Sequence, residues 1–286
     1  MTGQTALKSR ESTAPSIAEL AAQARAIRKH TLAMIHAARS GHPGGALSAA
    51  DILAVLYFDL LRLRPGEPRW NDRDRFILSK GHACPALYAA LAMRGYFALA
   101  QLAGLRKIDH FLEGHPDIKI PGIDAPSGSL GMGLSQGLGM ALGARHLKKD
   151  FRTYVVLGDG DMQEGNTWEA IMAAGFHRLG NLVAILDANE LQGDARVAQQ
   201  MDYFPVREKL EAFRWSVTEL DGHDIGVLRQ ALAMAASSRD AKPSFILAHT
   251  IKGKGVSFME GQQYWHGSVT MKDEELSKAL AELDRT

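Results

Sequence analysis

The chain carries one cysteine, Cys84, in 286 residues. No intrachain disulfide can therefore staple it, and a reducing compartment suits it. It also lacks an excess of charge of either sign: 33 Lys and Arg against 32 Asp and Glu leave a formal +1, and no global field draws such a chain to nucleic acid or an anionic membrane. Neither partner is expected, so ligands must be sought at local sites. No apolar run approaches the roughly 18 residues that span a bilayer, and residues 1–16 lack the apolar core of a secretory signal. The expectation is a cytoplasmic enzyme or enzyme subunit. What is there is a hydrophobic fraction of 46%, which excludes disorder for most of the chain and is ample for a sizeable core.

From Pro15 to Ser40, Ile17, Leu20, Ala24, Ile27, Thr31, Met34 and Ala38 recur in steps of three and four, the spacing of an amphipathic helix. Gly41 is expected to end it as a C-cap. After the turn His42-Pro43-Gly44-Gly45, Ser48 and Asp51 form a capping pattern at the head of a second helix through Leu61. Arg64 to Asp74 reads as a surface connection. Short apolar runs at Arg75 to Ser79, Thr153 to Leu157, Leu182 to Asp187, Trp215 to Leu220 and Ser244 to Ala248 read as buried parallel strands. Helical patterns lie at Pro85 to Arg94, Leu134 to Lys148, Thr167 to Arg178, Ile225 to Ala236 and Asp273 to Leu283. This alternation predicts an α/β fold, an open and mostly parallel sheet with helices on both faces. No repeat, low-complexity tract or linker-like shift divides it. One domain over residues 15–286 is expected, after a mobile tail at residues 1–14.

The most informative stretch runs from Val156 to Asn166. An apolar strand delivers Gly158-Asp159-Gly160 into its carboxyl-end loop, and a second strand delivers Asn189 thirty residues later. One β-α-β crossover would bring Asp159 and Asn189 together at the sheet edge where α/β proteins bind ligands. A hard cation such as Mg²⁺ takes oxygen ligands and keeps phosphate oxygens and water in its shell. One carboxylate, one amide oxygen and one backbone carbonyl near Leu191 would leave positions for two diphosphate oxygens. A nicotinamide fingerprint is the nearest competitor, but Gly131 to Gly137 has one residue too many between its last two glycines and follows no clear strand.

The Gly158-Asp159-Gly160 to Asn189 pattern resembles the thiamine diphosphate binding motif. Gly41-His42-Pro43-Gly44-Gly45, Ser79-Lys80-Gly81-His82-Ala83, Gly114-His115-Pro116-Asp117, Gly128-Ser129-Leu130-Gly131-Met132-Gly133 and Trp265-His266-Gly267 follow in the order found in transketolases, over about residues 17–270. The chain resembles the N-terminal, diphosphate-binding half of that family, and more closely the stand-alone N-terminal subunit of split transketolases.

The resemblance implies the thiamine diphosphate-binding fold and transfer of a two-carbon ketol unit from a ketose to an aldose, with sugars or sugar phosphates as substrates. The cofactor is the electron sink; the protein supplies position, proton transfer and recognition. Asp159, Asn189 and the Leu191 carbonyl would bind Mg²⁺, with Ca²⁺ or Mn²⁺ as alternatives. Gly158 and Gly160 would approach the diphosphate, and Gly128 and Leu130 the aminopyrimidine side. His42, His82, His115 and His266 would border the reactive carbon, with His82 and His266 also near the diphosphate. Glu164 and Glu169 match carboxylates where the family's subunits meet, and helix N-terminal acids would satisfy the macrodipole equally. Lys252 and Lys254 could attract phosphate or simply be solvated. His30, His36, His110, His146, His177, His223 and His249 carry no assigned role. The chain ends at Thr286, before the family's pyrimidine-binding half with its activating acid, so a separate C-terminal subunit is expected, in an α2β2 assembly. The alternatives are a relative of 1-deoxyxylulose-5-phosphate synthase or of the 2-oxo acid dehydrogenase alpha chain, or a non-catalytic binding protein derived from the transketolase half.

Overall fold

The computed structural model describes residues 14–193, 195–238 and 240–285; the expected mobile tail lies almost wholly outside them. Five parallel strands form one sheet in the order β1-β2-β3-β5-β4: β1 Arg75–Leu78, β2 Thr153–Gly158, β3 Leu182–Ala188, β4 Ser216–Asp221 and β5 Ser244–His249. Every expected strand is present within a residue or two. Alternate side chains go to opposite faces. Phe76, Leu78, Tyr154, Val156, Val183, Ile185 and Ile246 join the core under α1 (Ile17–Ala38), α3 (Ala50–Val55), α4 (Cys84–Met93) and α9 (Ile225–Ser237). Ile77, Val155, Leu157, Ala184, Leu186 and Phe245 join the core under α5 (Met132–His146), α6 (Gly165–His177) and α8 (Val206–Ala212). Helices thus cover both faces, as the alternation predicts.

Burial on both faces explains why β2, β3 and β5 read as unbroken apolar runs. β4 departs from the expectation of a buried strand. It is the sheet edge, and of its residues only Leu220 is buried.

The first helix is set by its capping box. Ser16 Oγ accepts from Glu19 N at 3.2 Å, and Glu19 Oε2 accepts from Ser16 N at 2.7 Å. Its end differs from the expected Gly41 cap: Arg39 takes the left-handed backbone (φ 51°) and its N–H closes onto His36 O. The second expected helix is broken into α2 (Pro43–Ser48), α3 and a wide last turn in which Leu61 N reaches Leu56 O at 2.9 Å. Ser48 and Asp51 do not cap it. Both side chains are drawn inward, Ser48 Oγ to Asp187 Oδ2 at 2.6 Å and Asp51 to Arg28 at 2.5 Å. Tertiary polar partners outweigh local capping where the residue is buried. A third cluster, Leu32, Leu47, Val256, Met259, Trp265 and Leu283 among others, seats the terminal helix α10 (Asp273–Leu283) against α1. α7 is a single turn, Val197–Gln200.

Candidate active site

The carboxyl ends of four strands deliver the site. Lys80 follows β1 by two residues, Asp159 follows β2 directly, Asp187 and Asn189 lie at the end of β3, and Thr250 and Lys252 follow β5. Lys80, Asp159, Asn189 and Lys252 border a cleft of about 370 Å³, with Asp187 and Thr250 behind them; its walls also include His82, Leu130, Gly158, Gly160, Glu164, Leu191 and His266. Parallel register makes the convergence: Gly158 pairs with Asp187 and Asp187 with Ala248, so the loops after β2, β3 and β5 leave at one level.

Asp159 is almost fully buried and accepts from Asn189 N at 3.2 Å, Glu190 N at 3.1 Å and Tyr203 Oη at 2.7 Å. The crossover does bring Asp159 and Asn189 together. Burial pushes the Asp159 carboxyl up to about 6; the Tyr203 hydroxyl opposes that, the Asp187 charge adds to it, and Lys80 and Lys252 oppose it. Leu191 O accepts from Lys252 Nζ at 2.6 Å, and Asn189 Oδ1 accepts from Leu191 N at 3.3 Å. Carboxylate, amide and carbonyl oxygen on one wall are a hard-cation donor set.

Sequence reasoning gave no role to Lys80, Asp161 or Asp187. Lys80 is 1% exposed; its Nζ meets Asp187 Oδ2 at 2.5 Å and Gly45 O at 2.9 Å. Asp187 also accepts from Ser48 and Thr250 hydroxyls. Burial alone would raise the Asp187 carboxyl, but the Lys80 ammonium and these donors hold it below its ordinary value. Lys252, able to attract phosphate but, as a lysine in a glycine-rich loop, expected more often to be solvated, is 2% exposed. Burial and the neighbouring Lys80 lower it to about 8, against the pull of Asp159 and Asp187. Asp161 is a buried tie: its carboxylate accepts from Ser79 Oγ at 2.7 Å, Gly131 N at 2.8 Å and Gly158 N at 2.9 Å, joining the ends of β1 and β2 to the start of α5. The signal for all of these was position at or just beyond the carboxyl end of a strand, which fixes location without fixing burial.

Three of the four flagged histidines form one group. Ring centroids are 5.4 Å apart for His42 and His82, 5.3 Å for His82 and His266, and 6.4 Å for His42 and His266. Gly44 allows this approach, because a Cβ there would lie 2.8 Å from both Lys252 Cγ and Trp265 O. Backbone bonds from Gly253 N to Gly44 O and from Val269 N to Gly41 O tie the His42 turn to the lysine loop and to the segment after His266, and Lys80 Nζ to Gly45 O ties it to the His82 segment. Burial first, then nearby cations, keeps the rings neutral: His42 is lowered to about 4 and His266 to about 3, while His82 falls well below its ordinary value. His115 sits one step outward, in a depression shared with Arg106 and Glu113, and burial with the Arg106 charge lowers it too. Gly128 does not line the cleft and backs onto the His115 ring, whereas Leu130 faces the cleft.

Glu164 lines the cleft at the head of α6, and Glu169 is exposed farther along that helix. Gly131 at φ 78° admits the Glu164 side chain, which a Cβ would strike at 2.4 Å. Lys254 is partly exposed, 3.8 Å from Glu260. His223, given no role by sequence, holds the lysine loop: its Nε2 accepts from Ile251 N at 2.8 Å while its Nδ1 meets Asp51 Oδ2 at 2.7 Å. Cys84 is free and buried.

The family model for "Transketolase, thiamine diphosphate binding domain" matches residues 20–283. The chain is 42% identical to the 6-deoxy-6-sulfo-D-fructose transketolase subunit SqwG of Clostridium sp., over 93% of this chain and 97% of that protein. It is 38% identical to one subunit of the apulose-4-phosphate transketolase of Phocaeicola vulgatus, over 90% of this chain and 94% of that subunit. Human transketolase is 42% identical over 87% of this chain, but only 40% of the human protein is covered. The solved transketolase of Campylobacter jejuni superposes with a TM-score of 0.89 at 33% identity, over 94% of this chain and 43% of that one. The chain spans less than half of that solved enzyme and nearly all of the two subunits. With the family model covering the cleft and all four histidine motifs, this chain belongs to the transketolase family, as its thiamine diphosphate-binding part.

Proposed function

We propose that this chain is the N-terminal subunit of a two-chain transketolase that moves a two-carbon ketol unit from a ketose or ketose phosphate to an aldose. The observation that carries the reading is the cleft at the ends of β1, β2, β3 and β5, where hard oxygen donors, two buried ammonium groups and neutral imidazoles share one wall. Nearly end-to-end likeness to two proteins named as transketolase subunits supports the two-chain form. Residues 15–286 would act as one diphosphate-binding domain, in keeping with the family match over residues 20–283.

The donor set fits a hard cation bound with a diphosphate. Asp159, Asn189 and the Leu191 carbonyl would hold Mg²⁺, or Ca²⁺ or Mn²⁺ in its place. Lys252, His82, His266 and the backbone at Gly158 and Gly160 would receive the diphosphate, with Glu164 at the outer wall and Leu130 and Gly128 toward the aminopyrimidine. When bound, thiamine diphosphate supplies the electron sink for C–C cleavage. His42, His82 and His266, neutral at pH 7, would hydrogen-bond sugar oxygens, and His115 would do so from the outer depression.

A partner surface is supported where α5 and α6 leave Met132, Met172 and Phe176 exposed beside Glu169; exposed apolar patches of this kind mark interaction sites. A complementary chain with the pyrimidine-binding half would cover it, in an assembly of two copies of each. No helix among the described residues is long and apolar enough to cross a membrane, and we place the enzyme in the cytoplasm, serving carbohydrate metabolism such as pentose phosphate interconversion.

Calorimetric titration of the chain with thiamine diphosphate is expected to require a divalent cation and to fail in Asp159→Ala. Unchanged binding in that variant overturns the site. Ketol transfer from a panel of ketose donors is expected only when a second chain with the pyrimidine-binding half is added. Robust turnover by the 286-residue chain alone overturns the two-chain reading.

A further inference from the structure

A neutral imidazole holds one proton on either of two nitrogens, and a neighbour that can only donate decides which. Arginine and protonated lysine are such neighbours. Arg106 stands on a left-handed backbone (φ 57°), with its own N–H bonded to Leu112 O at 2.8 Å. Its Nη1 donates to Ser40 Oγ at 2.6 Å and to Ser268 Oγ at 2.8 Å, which aims Nη2 at His42 Nδ1, 3.5 Å away. On the other side of the group, Lys252 Nζ lies 2.7 Å from His266 Nδ1, steadied by its bond to Leu191 O. Two cations from different segments thus address the same nitrogen of two different rings.

We propose that Arg106 and Lys252 fix His42 and His266 as their Nε2–H tautomers, so that both rings meet the substrate as N–H donors and not as proton acceptors. The functional half of this rests on the site being the ketol-transfer site; the tautomer half does not. A lone pair at Nδ1 facing a cation is favourable, whereas a proton there would face a donor with no acceptor between them. A second proton on either ring would face the same cation, which adds to burial, the larger cause, in holding the rings low, at about 4 and about 3. An N–H fixed in direction suits a ketose, whose carbonyl and hydroxyl oxygens all accept. Arg106 is on this view a positioning residue for His42. His223 supplies a contrast within the same molecule, because its Nε2 accepts the Ile251 N–H and its proton must therefore sit on Nδ1, facing Asp51.

The test is long-range proton–nitrogen correlation spectroscopy on the full-length chain with ¹⁵N-labelled imidazoles at pH 6.5, where Lys252 is an ammonium and both rings are neutral, signals assigned with His42→Gln and His266→Gln. His42 and His266 are expected as Nε2–H rings with unprotonated Nδ1, and His223 as the opposite form. Arg106→Gln, whose side chain can accept as well as donate, should shift proton density onto His42 Nδ1 and leave His266 unchanged. Arg106→Lys, again donor-only, should restore the wild-type signal. A proton on Nδ1 of His42 or His266 in the wild type overturns the proposal, as does a His42 signal indifferent to Arg106→Gln in a variant whose melting curve shows it folded. Neither cofactor nor partner is needed, so the outcome is independent of the proposed function. In the complete enzyme, Arg106→Gln should lower ketose kcat/KM about tenfold, the scale of one misdirected hydrogen bond, with thiamine diphosphate affinity unchanged.

Discussion

At the amino-terminal edge of the sheet, Arg62, Asp74, Asp150 and Arg152 line a depression of about 570 Å³, larger than the cleft of about 370 Å³ at the carboxyl edge. Arg62 and its two aspartates answer one another, and Arg152, only partly buried, rests on backbone carbonyls. Arg62 bonds to Asp74 at 3.4 Å and Asp150 at 3.1 Å, while Arg152 donates to Gly180 O at 2.8 Å and Ser238 O at 2.9 Å. At the carboxyl edge the Lys252 ammonium is buried against a carbonyl and an imidazole nitrogen. Size does not distinguish a site from a structural pocket here; a fully buried ammonium held by neutral partners does. An arrangement that forgoes ion pairing costs stability, and a diphosphate is the kind of ligand that compensates it.

The largest expected effect separates the two edges by stability. Asp187→Ala leaves Lys80 buried without its counter-ion, and breaking a buried pair in this way costs about 3–5 kcal/mol. Arg62→Ala removes a half-exposed partner from Asp74, whose carboxylate still accepts from Arg62 N and Arg152 N, and should cost about 1 kcal/mol or less. Urea denaturation of the two variants checks the contrast. Equal losses would break it.

Much of this contrast is legible in sequence as position and little of it as partnership. All five strands and the Asp159 to Asn189 crossover follow from local pattern, because period and loop placement are set within about thirty residues. The motifs of His42, His82 and His266 are each legible locally, but their convergence across 224 residues is set by the sheet order and the loop contacts. Ser48, Asp51 and Lys252 are misplaced or undecided by sequence because their partners lie 139, 172 and 61 residues away along the chain. Short-range rules see a cap or a solvated lysine and miss a buried acceptor. The composition of β4 suggests burial, and only sheet order reveals an edge strand. Arg106 and His223 act through side-chain geometry that no spacing encodes.

Next in size is ligand affinity at the carboxyl edge. Lys252→Met keeps the aliphatic packing under Gly44 and removes the ammonium. A hydrogen bond to a charged group contributes about 1.5–3 kcal/mol, so thiamine diphosphate affinity measured by calorimetry should fall about 10- to 100-fold. An unchanged dissociation constant would mean that this buried cation serves the fold alone.

A smaller effect should appear in the pH dependence of stability. His42 and His266 titrate near 4 and 3 in the folded chain and His82 well below its ordinary value, against 6.5 for a free ring. The unfolded chain therefore takes up protons first on acidification. The contribution of these neutral rings is fully present above pH 6.5, declines as pH falls toward 4, and is lost below the folded values. His42→Gln should flatten the decline in melting temperature between pH 6.5 and 4.5. An equally steep decline in that variant would assign the acid sensitivity elsewhere.

The smallest effect sharpens the comparison at its finest scale, two residues apart on one loop. Lys252 and Lys254 both stand in a glycine-rich run after β5 and are chemically identical, so any difference between them is environment. Lys254 is a third exposed and 3.8 Å from Glu260 Oε1, whose carboxylate also accepts from Gly255 N at 2.9 Å. Its charge is screened by water and already faced by a carboxylate, so it has little left for a ligand. Lys254→Ala should change thiamine diphosphate affinity less than about twofold and stability by less than about 1 kcal/mol, measured beside Lys252→Met in the same titration. If the two variants weakened binding alike, the loop would be acting as a diffuse positive surface, and burial of Lys252 would not be what selects the anion.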